Sequence, residues 1–222
     1  MISKGFFITL EGGEGSGKST LLRQLSEYLT SKGYEVIKTR EPGGTPLGET
    51  IRGCLLNQDD SLKISAQAEL LLFLAARAQH IEEVIRPGLE SGKIILCDRF
   101  NDSTIAYQGA ARQLDLKYVQ RLCHMICNSV EPQLTLFLDV DPNVGLLRSK
   151  RMEKDQAASG QLDRIEAEDI EFHRHVQEGF RSLARHEPFR IYSIDANKPQ
   201  NHVLREAIRA IDELVLLPNK RL

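Results

Sequence analysis

The chain has 222 residues, 41% hydrophobic and 27% charged, which is long enough for a substantial core and balanced like a globular protein, not a disordered one. A formal net charge of −2 argues against long nucleic acid as a partner, because proteins that clamp it carry a basic excess; a local basic cluster can still bind a small polyanion. The longest apolar runs, such as LLLFLAA at 70–76, fall short of the ~20 residues of a membrane span. Cys54, Cys97, Cys123 and Cys127 make no C-x-x-C pair and follow no secretory signal, so reduced thiols in a cytoplasmic protein are expected.

The first element is a strand, GFFITLE at 5–11, that runs straight into EGGEGSGKST at 11–20. Gly12-x-x-x-x-Gly17-Lys18-Ser19 meets the phosphate-loop pattern, with that strand before it and a helix at 17–32 after it. Glycines at 12, 13, 15 and 17 let the backbone take conformations closed to other residues. Successive N–H groups can then converge on an anion at the helix N-terminus. Lys18 reaches the outer phosphates, and the Ser19 hydroxyl can ligate Mg²⁺. The loop indicates a nucleoside triphosphate without separating a motor, a GTPase switch and a kinase. A guanine-reading N-K-x-D is missing, since NKPQ at 197–200 lacks the aspartate.

A second strand, YEVIKT at 34–39, leads into TREPGGTPLGETIR, with Arg40 at the strand end and Arg52 within a short helix at 47–57. A long helix at 65–91 carries Phe73 and Arg77 four apart on one face. That pair can stack a base and donate to its edge, or be a core phenylalanine beside a solvated arginine. The third strand, KIILCD at 93–98, ends in Asp98-Arg99-Phe100. Asp98 is placed as a carboxylate near Mg²⁺, and Arg99 can neutralise a transferring phosphate. Singly, each arginine could be a surface ion pair; at one sheet edge, Arg40, Arg52 and Arg99 read as a phosphate-binding fork.

Helices at 101–110 and 115–128 follow. Cys123 and Cys127 lie one turn apart around His124 and read as buried small side chains, not metal ligands. After the strand LTLFLDV at 134–140 and a helix at 142–153 comes RSKRMEKDQAASGQLDR at 148–164. This segment has no apolar stripe and turns small and polar at 157–160, the composition of a mobile lid. A helix at 164–185, a strand FRIYSID at 189–195 and a helix at 199–215 complete the pattern. The six histidines are scattered and read as surface residues. Strands alternating with helices predict an α/β, three-layer fold: about five parallel strands with helices on both faces, one domain over 1–222, and a small lid.

EGGEGSGKST, TREPGG, FLAARAQH, DRFNDSTIAYQG, LFLDVDP and LDRIE together resemble the thymidylate kinase family over essentially the whole chain. TREPGG and DRF…AYQG are specific to that family, whereas the phosphate loop is shared by many. The resemblance implies a P-loop kinase fold and phosphorylation of dTMP to dTDP with ATP and Mg²⁺. It also implies a homodimer, for which the apolar helix 65–76 could supply an interface.

The resemblance assigns roles to matched positions. Gly12, Gly13, Glu14, Gly15, Ser16, Gly17, Lys18, Ser19 and Thr20 would cradle ATP, with Ser19 and Asp98 near the metal. Phe73 would stack on thymine, Arg77 would donate to its O4, and Thr104 and Gln108 would also meet the base. An arginine donor suits thymine's O4 acceptor and not cytosine's amino group. Tyr107 would lie against the sugar, where a ribose 2′-hydroxyl clashes, and Glu14 would meet the 3′-hydroxyl. Arg40, Arg52 and Arg99 would hold the acceptor phosphate, and Pro42 matches a proline often cis in the family. Some members carry a catalytic arginine directly after the loop acid. Gly15 stands there in this chain, so the charge is expected from the lid: Arg148, Lys150, Arg151, Lys154 or Arg164. Arg148 also matches the position that stacks on adenine. Rival readings are a phosphate-loop kinase for another small acceptor and a nucleotide-dependent switch.

Overall fold

Near-continuous apolar strands need cover on both faces, and the structure, a computed structural model, provides it. It describes residues 5–57, 62–155 and 163–213. Strand β1 (Phe6–Glu11) lies in the middle of a five-stranded sheet, with β3 (Ile94–Asp98) on one side and β4 (Leu134–Asp139) on the other. β2 (Val36–Arg40) pairs outside β3, and β5 (Ile191–Asp195) outside β4. Every pairing is parallel.

Side-chain alternation divides the sheet's cover. Ile8, Leu10, Leu96 and Leu136 point to one face and pack with Leu25 of α1 (Lys18–Ser31) and Ala207 of α9 (Gln200–Ile211). Phe7, Ile95 and Cys97 point to the other face. The long helix expected at 65–91 covers that side as α3 (Ala66–His80), a π-helical turn at Ile81–Ile85, and α4 (Arg86–Glu90). The next short helix divides similarly, into α5 (Asn101–Thr104) and a π-helical stretch at Ile105–Ala111. α8 (Ile170–His186) packs Phe172 and Phe180 against Tyr107 of that stretch.

Local chemistry sets several boundaries. Thr45 caps α2 (Pro46–Leu56) by accepting from Gly48 N at 3.0 Å. Asp115 likewise caps α6 (Leu116–Cys127) from Tyr118 N. A helix starting at 164 is not what forms: the Asp163 carboxylate accepts from the backbone N–H of Ile165 and of Glu166, at 2.8 Å each, making a turn. Asp169 then caps α8 afresh. α7 (Pro142–Asp155) carries the first part of the expected lid, while the small polar stretch at 157–160 lies outside the described residues.

Two histidines correct the expectation of surface positions. His80 is fully buried, 2.6 Å from Thr39 Oγ1 and 2.9 Å from Glu41 Oε1. His173 is buried as well, and its Nε2 has no hydrogen-bond partner among the described residues. Cys97, Cys123 and Cys127 are buried thiols, and Cys54 is exposed. Among the described residues, no helix is long and apolar enough to cross a membrane.

Candidate active site

A cavity of about 1070 Å³ opens at the carboxyl ends of the strands, where parallel α/β sheets place their ligands. Its floor is the turn from β1 into α1. Gly15 takes a φ of +61° and Gly17 of +94°, both in the left-handed region that favours glycine. Gly15 also passes close to α7: a Cβ there would stand 1.9 Å from the Gly145 carbonyl oxygen. Residues 14–20 line the cavity, whereas Gly12 and Gly13 stand behind the lining. Those two accept from Lys18 Nζ through their carbonyls, at 3.1 and 2.9 Å. Burial pulls the Lys18 pKa down, reinforced by nearby Arg99 and opposed by Glu14 and Asp98.

Ser19 Oγ donates to Asp98 Oδ2 at 3.1 Å, joining the first helical turn to the end of β3. The other oxygen, Asp98 Oδ1, is buried and has no hydrogen-bond partner among the described residues. A carboxylate with an unclaimed oxygen beside a hydroxyl is a donor set suited to Mg²⁺.

Arg99 sits at a φ of +72°, which turns its side chain back over the loop. It donates to Gly12 O at 3.0 Å and to Glu14 Oε1 at 2.5 Å, and it lies 5.0 Å from the centre of the Tyr107 ring. Tyr107 OH also donates to Glu14 Oε1, at 2.9 Å. Burial pushes the Glu14 pKa up, but Arg99, Lys18 and the Tyr107 bond outweigh it and bring it to about 2. Arg52 donates to Pro42 O at 3.0 Å, next to the cis Glu41–Pro42 bond, and Arg40 pairs with Glu49 at 2.8 Å. The Arg52 pKa is lowered by burial, then by Arg40 and, more weakly, by Arg99. Burial, Arg40 and Arg99 thus disfavour the charge on Arg52, and Glu49 and Asp163 offset them only in part; a phosphate at this rim would meet all three guanidinium groups.

Further in, Phe73 is half-buried and Arg77 is buried. Arg77 Nε donates to Glu41 Oε2 at 2.7 Å, and its guanidinium lies 5.0 Å from the Phe100 ring centre. Of the two sequence readings, the solvated arginine is excluded, because Arg77 is 1% exposed and lines the cavity. Thr104 and Gln108 line it as well, and Thr104 Oγ1 is buried without a hydrogen-bond partner among the described residues.

The lid candidates separate. Arg148 and Arg151 line the cavity, with Arg148 donating to Ala196 O at 2.8 Å. Lys150 is exposed outside the lining, and the Lys154 side chain lies outside the described residues. Arg164 corrects the expectation of a cation facing the nucleotides. Its guanidinium is held by Glu69 Oε2 at 2.5 Å and Leu55 O at 2.8 Å, away from the lining. A buried carboxylate and a helix-end carbonyl outcompete open solvent for it.

Sequence reasoning missed four carboxylates. Asp163 and Glu166, within the quoted LDRIE, line the cavity; their two-sided spacing around Arg164 was the available signal. Glu41 orients Arg77. Glu11, fully buried at the end of β1, accepts from Phe100 N at 2.7 Å and Ser103 Oγ at 2.6 Å, pinning the segment that carries Arg99. Burial and the nearby Asp102 push the Glu11 pKa up to about 8.

The thymidylate kinase family model matches residues 10–207. The chain belongs to the thymidylate kinase family. It is 62% identical over 210 residues to the thymidylate kinase of Protochlamydia amoebophila, covering 95% of this chain and 93% of that one. It is 44% identical over 212 residues to that of Deinococcus radiodurans, covering 96% and 98%. A crystal structure of thymidylate kinase from Ehrlichia chaffeensis superposes with a TM-score of 0.74 at 35% identity, covering 94% of this chain and 99% of that one. The five-stranded P-loop kinase architecture is thus shared with a solved family member.

Proposed function

We infer that this chain is a thymidylate kinase that transfers the terminal phosphoryl group of ATP to dTMP, giving dTDP. One observation carries the reading beyond family membership: a single cavity joins the phosphate loop, the rim of Arg40, Arg52 and Arg99, and the Phe73–Arg77–Gln108 pocket. Its volume is at the upper end for small-ligand sites, as two nucleotides meeting end to end require.

Transfer is direct and in line, without a covalent enzyme intermediate. The acceptor oxygen belongs to a phosphate that is already anionic, so no strong general base is needed; positioning and charge neutralisation carry the catalysis. Lys18, released from its own loop carbonyls, swings to the donor's outer phosphates. Arg99, now paired with Glu14, takes the acceptor phosphate with Arg40 and Arg52, leaving Glu14 to accept from the 3′-hydroxyl. Phe73 stacks on the thymine, Arg77 donates to O4, Thr104 and Gln108 meet the remaining base edge, and Tyr107 crowds the sugar's 2′ position. Ser19 and Asp98 would hold Mg²⁺, which would supply charge that neutralises the phosphate oxygens. Arg148, stacked on adenine, and Arg151 supply the positive charge that Gly15 lacks. α7, which carries Arg148 and Arg151, closes over the donor and excludes water. Leu71 on α3 with Tyr118 and Met125 on one face of α6, all exposed, and with Gln67 of α3 bonded to Tyr118 OH, fit the apolar face of a homodimer. The setting is the cytoplasm and the supply of dTTP.

Coupled ADP release with dTMP, dUMP, dCMP and dGMP tests the assignment. Saturable, dTMP-preferring turnover supports it. ADP release independent of any acceptor points to a nucleotide switch, and preference for another monophosphate points to a different kinase.

A further inference from the structure

Glu69 lies on α3, 1% exposed, with no route to either substrate. Its Oε1 accepts from Gln108 Nε2 at 2.8 Å and Arg112 Nε at 3.2 Å. Its Oε2 accepts from Arg112 Nη2 at 3.2 Å and Arg164 Nη2 at 2.5 Å. Burial raises the Glu69 pKa, but the bonds from Gln108, Arg112 and Arg164 together hold it below the ordinary carboxylate range.

An ionised carboxylate has no proton to give. The amide atom that faces it must therefore be the Gln108 NH₂, and the Gln108 carbonyl is left for the cavity. No described residue donates to that side-chain oxygen, Oε1, whereas the Gln108 backbone carbonyl accepts from Leu114 N at 3.2 Å. Nearby, Glu41 takes Nε of Arg77 and the Cys123 thiol takes Nη1 at 3.9 Å, which leaves Nη2 for a ligand. Two buried carboxylates thus fix a donor, Arg77, and an acceptor, Gln108, on one pocket wall. Thymine offers the complement: O4 accepts and N3–H donates. Cytosine offers an amino donor and a bare N3 acceptor, and mismatches both. The Thr104 hydroxyl can donate or accept and so discriminates neither.

We propose that Glu69 is a positioning residue that sets the polarity of the Gln108 amide and thereby part of the selectivity for thymine over cytosine. The proposal rests on the reading of this pocket as the thymine site.

The test is a double-mutant cycle read as the ratio of dCMP to dTMP dissociation constants, by calorimetry and competition, with kcat at saturating dTMP measured alongside. Glu69→Gln can present an NH₂ to Gln108 and frees the amide to turn, so the ratio should fall about tenfold or more while kcat changes much less. In the Gln108→Ala background, Glu69→Gln should leave the ratio where Gln108→Ala alone puts it. An unchanged ratio in the single variant, or an equal fall in both backgrounds, overturns the proposal, since a merely structural role weakens both ligands together. Should the Glu69→Gln chain fail to fold, Glu69→Asp, which keeps the charge and draws the carboxylate back by one bond, enters the same cycle. A wild-type chain with no preference for dTMP would overturn the thymine-site reading itself, and the proposal with it.

Discussion

Alanine at position 15 should disable the phosphate loop for a reason that can be separated into two parts. Gly15 holds a φ of +61°, where a Cβ costs about 1–2 kcal/mol. That Cβ would also stand 1.9 Å from Gly145 O, a contact with backbone that cannot rotate away. Real Cβ contacts essentially never fall below 3.0 Å, so the loop or the base of α7 must shift by about 1 Å, and displacement on that scale costs about 10²-fold in rate. Two neighbours serve as controls. Gly17 has a φ of +94° with open space around it, and Gly13 has open space and no positive φ. Activity should therefore fall in the order Gly13→Ala, Gly17→Ala, Gly15→Ala, the last by about a hundredfold in kcat/KM for ATP. Thermal unfolding should drop by about 2–4 °C for each kcal/mol of strain. The same contact excludes an arginine at position 15 in this geometry, which leaves Arg148 and Arg151 as the lid cations that line the cavity among the described residues. A Gly15→Ala chain as active as Gly13→Ala would refute the reasoning.

Other substitutions probe the rest of the cavity. Arg77→Ala should raise KM for dTMP at least about tenfold, the scale of a lost charged hydrogen bond, with KM for ATP nearly unmoved; equal damage to both would mark Arg77 as structural only. Asp98→Asn should lower turnover and raise the Mg²⁺ concentration needed for half-maximal rate, and an unchanged metal dependence would remove Asp98 from the metal site. Glu11 is protonated in the native chain up to about pH 8 but ionises near 4.5 when unfolded. Its raised pKa therefore contributes stability that is full below pH 4.5 and is lost as pH rises to about 8. Denaturant unfolding at several pH values should show a flatter decline for Glu11→Gln than for wild type across that window, and parallel curves would contradict the assignment.

The features legible in the sequence were those whose chemistry is contiguous. The phosphate loop needs only one strand, one turn and one helix in succession, and its residues stand where the pattern put them, apart from Gly12 and Gly13 behind the lining. All nine positions matched to the acceptor, from Arg40 to Gln108, line the cavity, because the family motifs carried the long-range geometry that periodicity cannot. The misses are of another kind. Arg164 reads as a free lid cation until Glu69 is brought beside it from 95 positions away. Glu11 reads as the last residue of a strand until Phe100, 89 positions on, donates to it. His80 reads as surface until Thr39 and Glu41 enclose it.

Sequence alone determined the strand–helix alternation, the triphosphate loop and the family, since each is written in neighbouring residues or short motifs. Only the tertiary structure decided which charges face ligand and which face one another. A buried ion takes its role from the partners that desolvate and neutralise it, and in this chain those partners arrive from distant segments.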